Sequence, residues 1–209
     1  VDRKLTKDEE RRKEIFDKKC EEMIKSGYQK KMLHLSNEKV NSDALKMMIP
    51  TIVLIILAYI FLGAKSPAKY QFSINPFLIL LIYFILIVIH ELIHGIFFAI
   101  FAEKGFKDIS FGIVWKHLTP YCSCVSPLRL KEYLIGALMP LVILGIIPTL
   151  LSVILGRFDL LFIGLPMVTG AFGDILIVRN ILKNIDKQKE ILILDHPTEI
   201  GSVAFEKEK

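Results

Sequence analysis

Charge is missing from the longest apolar stretch of this chain: none occurs from Phe77 to Ile89, and none again from Gly95 to Ala102. At ~1.5 Å per residue that stretch is long enough to cross a ~30 Å hydrocarbon layer, which excludes an ordinary surface helix. Cysteine is scarce too. Cys20, Cys122 and Cys124 are the three thiols, two of them adjacent but one, and they exclude a disulfide framework. No internal repeat and no low-complexity tract is present, so the chain is neither a solenoid nor a disordered linker. Net charge is small: 27 Lys and Arg against 22 Asp and Glu give +5, and no nucleic-acid partner is implied. No cleavable signal peptide is expected, because the N-terminal segment is long and charged and the first apolar run begins near Ala44.

What is present is apolar mass segregated from charge. The 209 residues are 53% hydrophobic yet 23% charged, with a mean hydropathy of +0.48. That profile indicates an all-α membrane protein: a four-helix transmembrane bundle with a polar N-terminal helix and a strand-containing loop on its cytoplasmic face. The expected division is a polar segment over 1–42, a four-span domain over 43–183 and a cytoplasmic tail over 184–209.

Thr6 and Glu9 are placed as a capping box for a helix over 7–26, with Ile15, Phe16, Cys20, Met23 and Ile24 as its apolar stripe and Gly27 as its end. Residues 28–35 read as a short extended piece. The first span is expected over 44–63 with Pro50 near its start, followed by a polar turn at 65–69; Pro76 then opens the second span, 77–102. In the connection from 103 to 131, Phe106, Ile109, Phe111, Ile113, Val114 and Trp115 are punctuated by Gly105 and Gly112, which suggests strands at the membrane face. The third span, 133–155, contains Pro140 and Pro148, which imply kinks. The fourth, 160–178, carries one acid, Asp174. Gly170 and Gly173 are expected to let this helix approach the second closely. Lys and Arg alternate between rich and poor connections: thirteen up to and including Lys46, two in the first loop, five in the long loop, Arg157 alone in the third, and six from Arg179 onwards. Both termini and the long loop are therefore expected in the cytoplasm, and the protein in the cell membrane.

Within the second span stands His90-Glu91-Leu92-Ile93-His94. Ionisable groups at this depth cost a few kcal/mol each on insertion scales and mark function. Histidines four residues apart lie only ~40° apart around a helix, so both imidazoles reach one cation, with Glu91 beside them as general base. This is the HExxH pattern of zinc peptidases. A catalytic zinc takes three protein ligands and an open position. Depth favours Asp174 as the third, because it lies about as far along the fourth span as His90 and His94 lie along the second. Asp195 and His196 are the alternatives, beyond the last span. His117 with Cys122 and Cys124 offers a second donor set, for which a loop packed on the membrane face is the simpler reading.

HELIHG at 90–95, YCSCVSPL at 121–128, GALMP and GIIP of the third span, GD at 173–174 and DHPTEIG at 195–201 together resemble the putative zincin peptidase family of bacterial membrane proteins, which is similar to site-2 proteases. The resemblance implies zinc held by His90, His94 and Asp174, Glu91 as base, and cleavage of a membrane-protein or peptide substrate inside the lipid bilayer. Site-2 proteases present their aspartate in an NPDG or LDG setting, whereas here Gly173 precedes it and Ile175 follows. Two other functions are weighed: a metal-dependent hydrolase of a lipid-linked substrate, and a non-catalytic scaffold that retains the motif. The sequence leaves the oligomeric state open.

Overall fold

The computed structural model describes residues 6–63, 76–114, 119–199 and 201–208, and they fold as two compact units. The first comprises the chain up to Asn37, Gly95–Gly136 and Ile177–Lys209, and the second Glu38–His94 and Ala137–Leu176.

The first unit opens with α1, Lys7–Lys25. Thr6 accepts from the Glu9 amide while the Glu9 carboxylate accepts from the Thr6 amide, which satisfies two N-terminal donors reciprocally. At the other end Tyr28 donates to the Met23 carbonyl and Gly27, at φ +87°, to that of Ile24. This is the Schellman closure that a left-handed glycine permits. The chain then enters β1, Gln29–His34. The hairpin of β2, Ile109–Val114, and β3, Thr119–Cys124, follows much later, and β4, Leu128–Arg129, after it. Strands β5, Glu190–Asp195, and β6, Gly201–Lys207, close the unit.

Four of these strands form one antiparallel sheet in the order β1-β6-β5-β4, with Gln29 opposite Glu206, Glu190 opposite Lys207 and Leu128 opposite Ile193. Strand alternation puts Leu192, Leu194, Val203 and Phe205 on one face, where they pack with Phe16 and Cys20 of α1. On the other face Ala204, Ile193 and Leu128 are fully buried. The all-α class is thus corrected to a mostly helical chain with a small antiparallel sheet. Residues 28–35, expected as extended, hold β1, and the 103–131 connection holds β2 and β3; the pairing of β1, β6, β5 and β4 joins segments up to ~170 residues apart, which no local pattern shows.

The second unit is helical. Helix α2, Asn37–Ala58, runs on through a π turn, Tyr59–Gly63, so the first apolar helix starts well before Ala44 and Pro50 lies inside it. Helix α3 is Pro76–Phe101, with proline at the first position where its missing N–H costs nothing. The third apolar helix is continuous from Leu130 to Leu155. It consists of α4, Leu130–Pro140, a π segment, Leu141–Ile146, and α5, Ile147–Leu155, and the wider π turn lies between the two prolines. The polar turn expected at 65–69, Trp115 and His117 lie outside the described residues.

The expected fourth span is not one helix. It is α6, Phe158–Gly170, and α7, Phe172–Asn184, bent by 41° at Ala171. Three helices among the described residues, Glu38–Leu62, Leu80–Phe101 and Leu130–Leu155, are long and apolar enough to cross a membrane, and the bent pair makes four if it counts as one. Their outward residues are apolar: Leu54, Phe61, Leu80, Phe84 and Ile154 are all well exposed. The close approach expected at Gly170 and Gly173 lies elsewhere, for a Cβ at either would meet nothing within 4 Å among the described residues. It falls instead at Gly164, where a Cβ would lie 2.7 Å from the Thr149 backbone nitrogen, and at Gly145, which packs on Val168. Those glycines let α6 lie backbone to backbone against the third helix.

Candidate metal centre

His90 and His94 stand one turn apart on α3, and their Nε2 atoms are 3.2 Å from each other. Asp174 reaches the same point from α7: Oδ2 is 3.2 Å from His90 Nε2, and Oδ1 is 3.6 Å from His94 Nε2. The bend at Ala171 makes Asp174 the third residue of a new helix, where backbone N–H groups favour an anion. All three residues belong to the second unit. His94 is buried and the other two are half-buried.

The donor set fits zinc. A tetrahedral ion with ligand bonds of about 2.0–2.1 Å separates its ligand atoms by about 3.3–3.4 Å; the two imidazole nitrogens are 3.2 Å apart, one Asp174 oxygen lies 3.2 Å from His90 and the other 3.6 Å from His94. Two imidazole nitrogens and a carboxylate oxygen directed at one point repel each other unless a cation or shared protons sit between them. His90, His94 and Asp174 are the residues that could hold the ion. Glu91 is half-buried, one residue past His90 and ~100° further round the helix.

Asp195 and His196, the alternative third ligands, are engaged in the first unit. Asp195 ends β5, with Oδ2 accepting from the Cys124 amide at 2.9 Å and Oδ1 from the Tyr133 hydroxyl at 2.6 Å. His196 clusters with His34 and Glu199, and His34 Nδ1 lies 2.8 Å from a Glu199 carboxylate oxygen. That second group is a poor metal site, because His196 Nδ1 accepts from the backbone of Glu199 at 3.0 Å and of Thr198 at 3.4 Å. A ring whose Nδ1 accepts carries its proton on Nε2 and has no lone pair left for a metal. Among the described residues no cysteine joins a group that could hold a metal, and His117 lies outside them. Burial pushes the Cys124 thiol up to about 12 while Sγ–H donates to the Ser126 carbonyl, which holds it as a thiol rather than a ligating thiolate.

Tyr83, two turns before His90, carries no motif and was not expected to matter; its hydroxyl donates to the Phe162 carbonyl of α6 at 2.6 Å. Its spacing from His90 was the one signal available.

Comparison with known proteins places residues 83–188, 106 of the 209 (188 − 83 + 1), in the family described as "Putative zincin peptidase". No protein of curated function and no solved structure matches the chain.

Proposed function

The chain belongs to this putative zincin peptidase family, whose cofactor is zinc and whose reaction is peptide hydrolysis, and from that premise we propose that it is an intramembrane peptidase of the site-2 type. The observation that carries the reading is the convergence of His90, His94 and Asp174 on one point, on helices apolar enough to lie in a bilayer. Both termini and the 103–131 connection are assigned to the cytoplasm on the distribution of Lys and Arg.

In this reading His90 and His94 hold zinc through Nε2, and Asp174 supplies the third, anionic donor. Zinc, when bound, lowers the pKa of a water toward neutrality and polarises a carbonyl. Glu91 takes one proton from the attacking water as its oxygen bonds to the peptide carbon. The same carboxyl then gives that proton to the amine nitrogen as the C–N bond breaks, so the base is regenerated. The β2–β3 hairpin of the first unit is a two-stranded ladder, and the edge of such a ladder is the kind of backbone that pairs with an extended peptide. Gly95, directly after His94, packs against Phe111 of that hairpin, and a Cβ there would lie 2.3 Å from the ring.

The test is Glu91→Gln in purified protein presented with membrane-spanning peptides. Cleavage should be abolished with zinc retained. Cleavage at the wild-type rate would exclude Glu91 as base, and turnover of prenylated or lipid-linked conjugates in place of peptides would change the substrate class.

A further inference from the structure

An α-helical carbonyl accepts from the N–H four residues on, and for Phe162 that residue is Pro166, which has no N–H to give. The Tyr83 hydroxyl of α3 donates to this carbonyl at 2.6 Å, and its ring packs on that of Phe162 with centroids 5.5 Å apart. In apolar surroundings a backbone group freed by proline is satisfied again by a neighbouring helix, a local adjustment of the helix or water, and here α3 provides one donor.

Its position bears on the metal centre. Seven residues separate Tyr83 from His90, and seven steps of ~100° return to within ~20° of the same helix face. From Phe162 the chain continues through α6 and the bend at Ala171 to Asp174. The two helical segments are therefore joined at two levels, Tyr83 with Phe162 and His90 and His94 with Asp174. At the bend itself nothing among the described residues lies within 4 Å of a Cβ built on Gly170 or Gly173. Ala171 and Phe172, both buried, seat the start of α7, while the two glycines add no contact of their own among the described residues. Close packing through Gly164 and Gly145 fixes α6 to the third helix, and Tyr83 ties it to α3.

We infer that Tyr83 is a positioning residue of the metal centre: its bond to the Phe162 carbonyl, which Pro166 cannot serve, sets the height and rotation at which α7 presents Asp174 to His90 and His94. The inference rests on reading that triad as the zinc site. Pro166 and Tyr83 are then a matched pair, one removing a backbone donor and the other supplying a replacement from the helix that bears the histidines.

A double-mutant cycle tests this in detergent-purified full-length protein, with zinc affinity read by chelator competition and cobalt(II) absorption reporting ligand geometry. Tyr83→Phe keeps the ring and deletes only the donor. It should weaken zinc by about tenfold, within the range for groups that orient metal ligands, and should alter the cobalt spectrum per bound ion. Pro166→Ala returns an N–H to the Phe162 carbonyl, so Tyr83→Phe/Pro166→Ala should bind zinc within about twofold of Pro166→Ala alone. A general loss of stability would leave the spectrum per bound ion unchanged and would not be rescued in this way. Unchanged affinity in Tyr83→Phe, or a loss that Pro166→Ala does not repair, overturns the inference. If the wild type binds no zinc, the zinc reading fails, and positioning is judged by amide exchange over residues 171–175. Faster exchange in Tyr83→Phe, slowed again in the double variant, supports it; equal exchange overturns it.

Discussion

Asp195→Ala separates a structural carboxylate from a ligating one. Asp195 accepts from the Cys124 amide at 2.9 Å and the Tyr133 hydroxyl at 2.6 Å, and both donor residues are buried. A hydrogen bond to an ionised acceptor contributes about 1.5–3 kcal/mol. Two bonds sharing one carboxylate do not add in full, so deletion should cost about 3–5 kcal/mol. For a chain of this length that lowers the unfolding temperature by about 6–20 °C. Asp195→Asn, which keeps one carbonyl oxygen, should lose about half as much. The assay is thermal unfolding in detergent with zinc measured on the same sample. Stability should drop while zinc stays at the wild-type level in the protein that remains folded. An unfolding temperature within 2 °C of wild type together with loss of zinc would refute the reasoning and make Asp195 a ligand.

Two more outcomes follow from the first unit. Gly201 sits at φ +130° where β6 begins, and a Cβ there would lie 2.4 Å from the Leu33 carbonyl oxygen; Gly201→Ala should cost about 2–3 kcal/mol, seen as faster amide exchange in β1 and β6 with zinc content unchanged. Burial holds the His196 imidazole below its usual 6.5, against the opposing pull of Glu199 and with His34 and Lys30 adding to the depression. Just below pH 6.5 the unfolded chain therefore binds more protons at this site than the folded one, so His196 lowers stability as pH falls through that value. Urea midpoints between pH 7.5 and 5.5 should fall, and less steeply in His196→Gln.

The clustering of His90, His94 and Asp174 was more legible than the fold around it. His90 and His94 stood out because ionisable groups in apolar sequence are costly and their spacing is helical. Asp174 was readable from depth alone, although the helix bearing it is broken rather than continuous. The bend at Ala171 was not visible, since Gly170 and Gly173 pointed equally to close packing, and the structure has open space at both. The capping box at Thr6 and Glu9 was legible because its bonds are local. The sheet was not: Glu190–Asp195 and Gly201–Lys207 gain their meaning only by pairing with each other and with Gln29–His34. Tyr83 went unread for a related reason, because its partner is a carbonyl singled out by a proline on another helix.

The most direct test of the central claim is the zinc content of detergent-purified protein, measured without chelator for the wild type, His94→Ala and Asp174→Ala. The expected result is one zinc per chain in the wild type and loss in both variants. A wild type that carries no zinc, or an Asp174→Ala variant that keeps it at full affinity, would contradict the assignment of His90, His94 and Asp174 as the site.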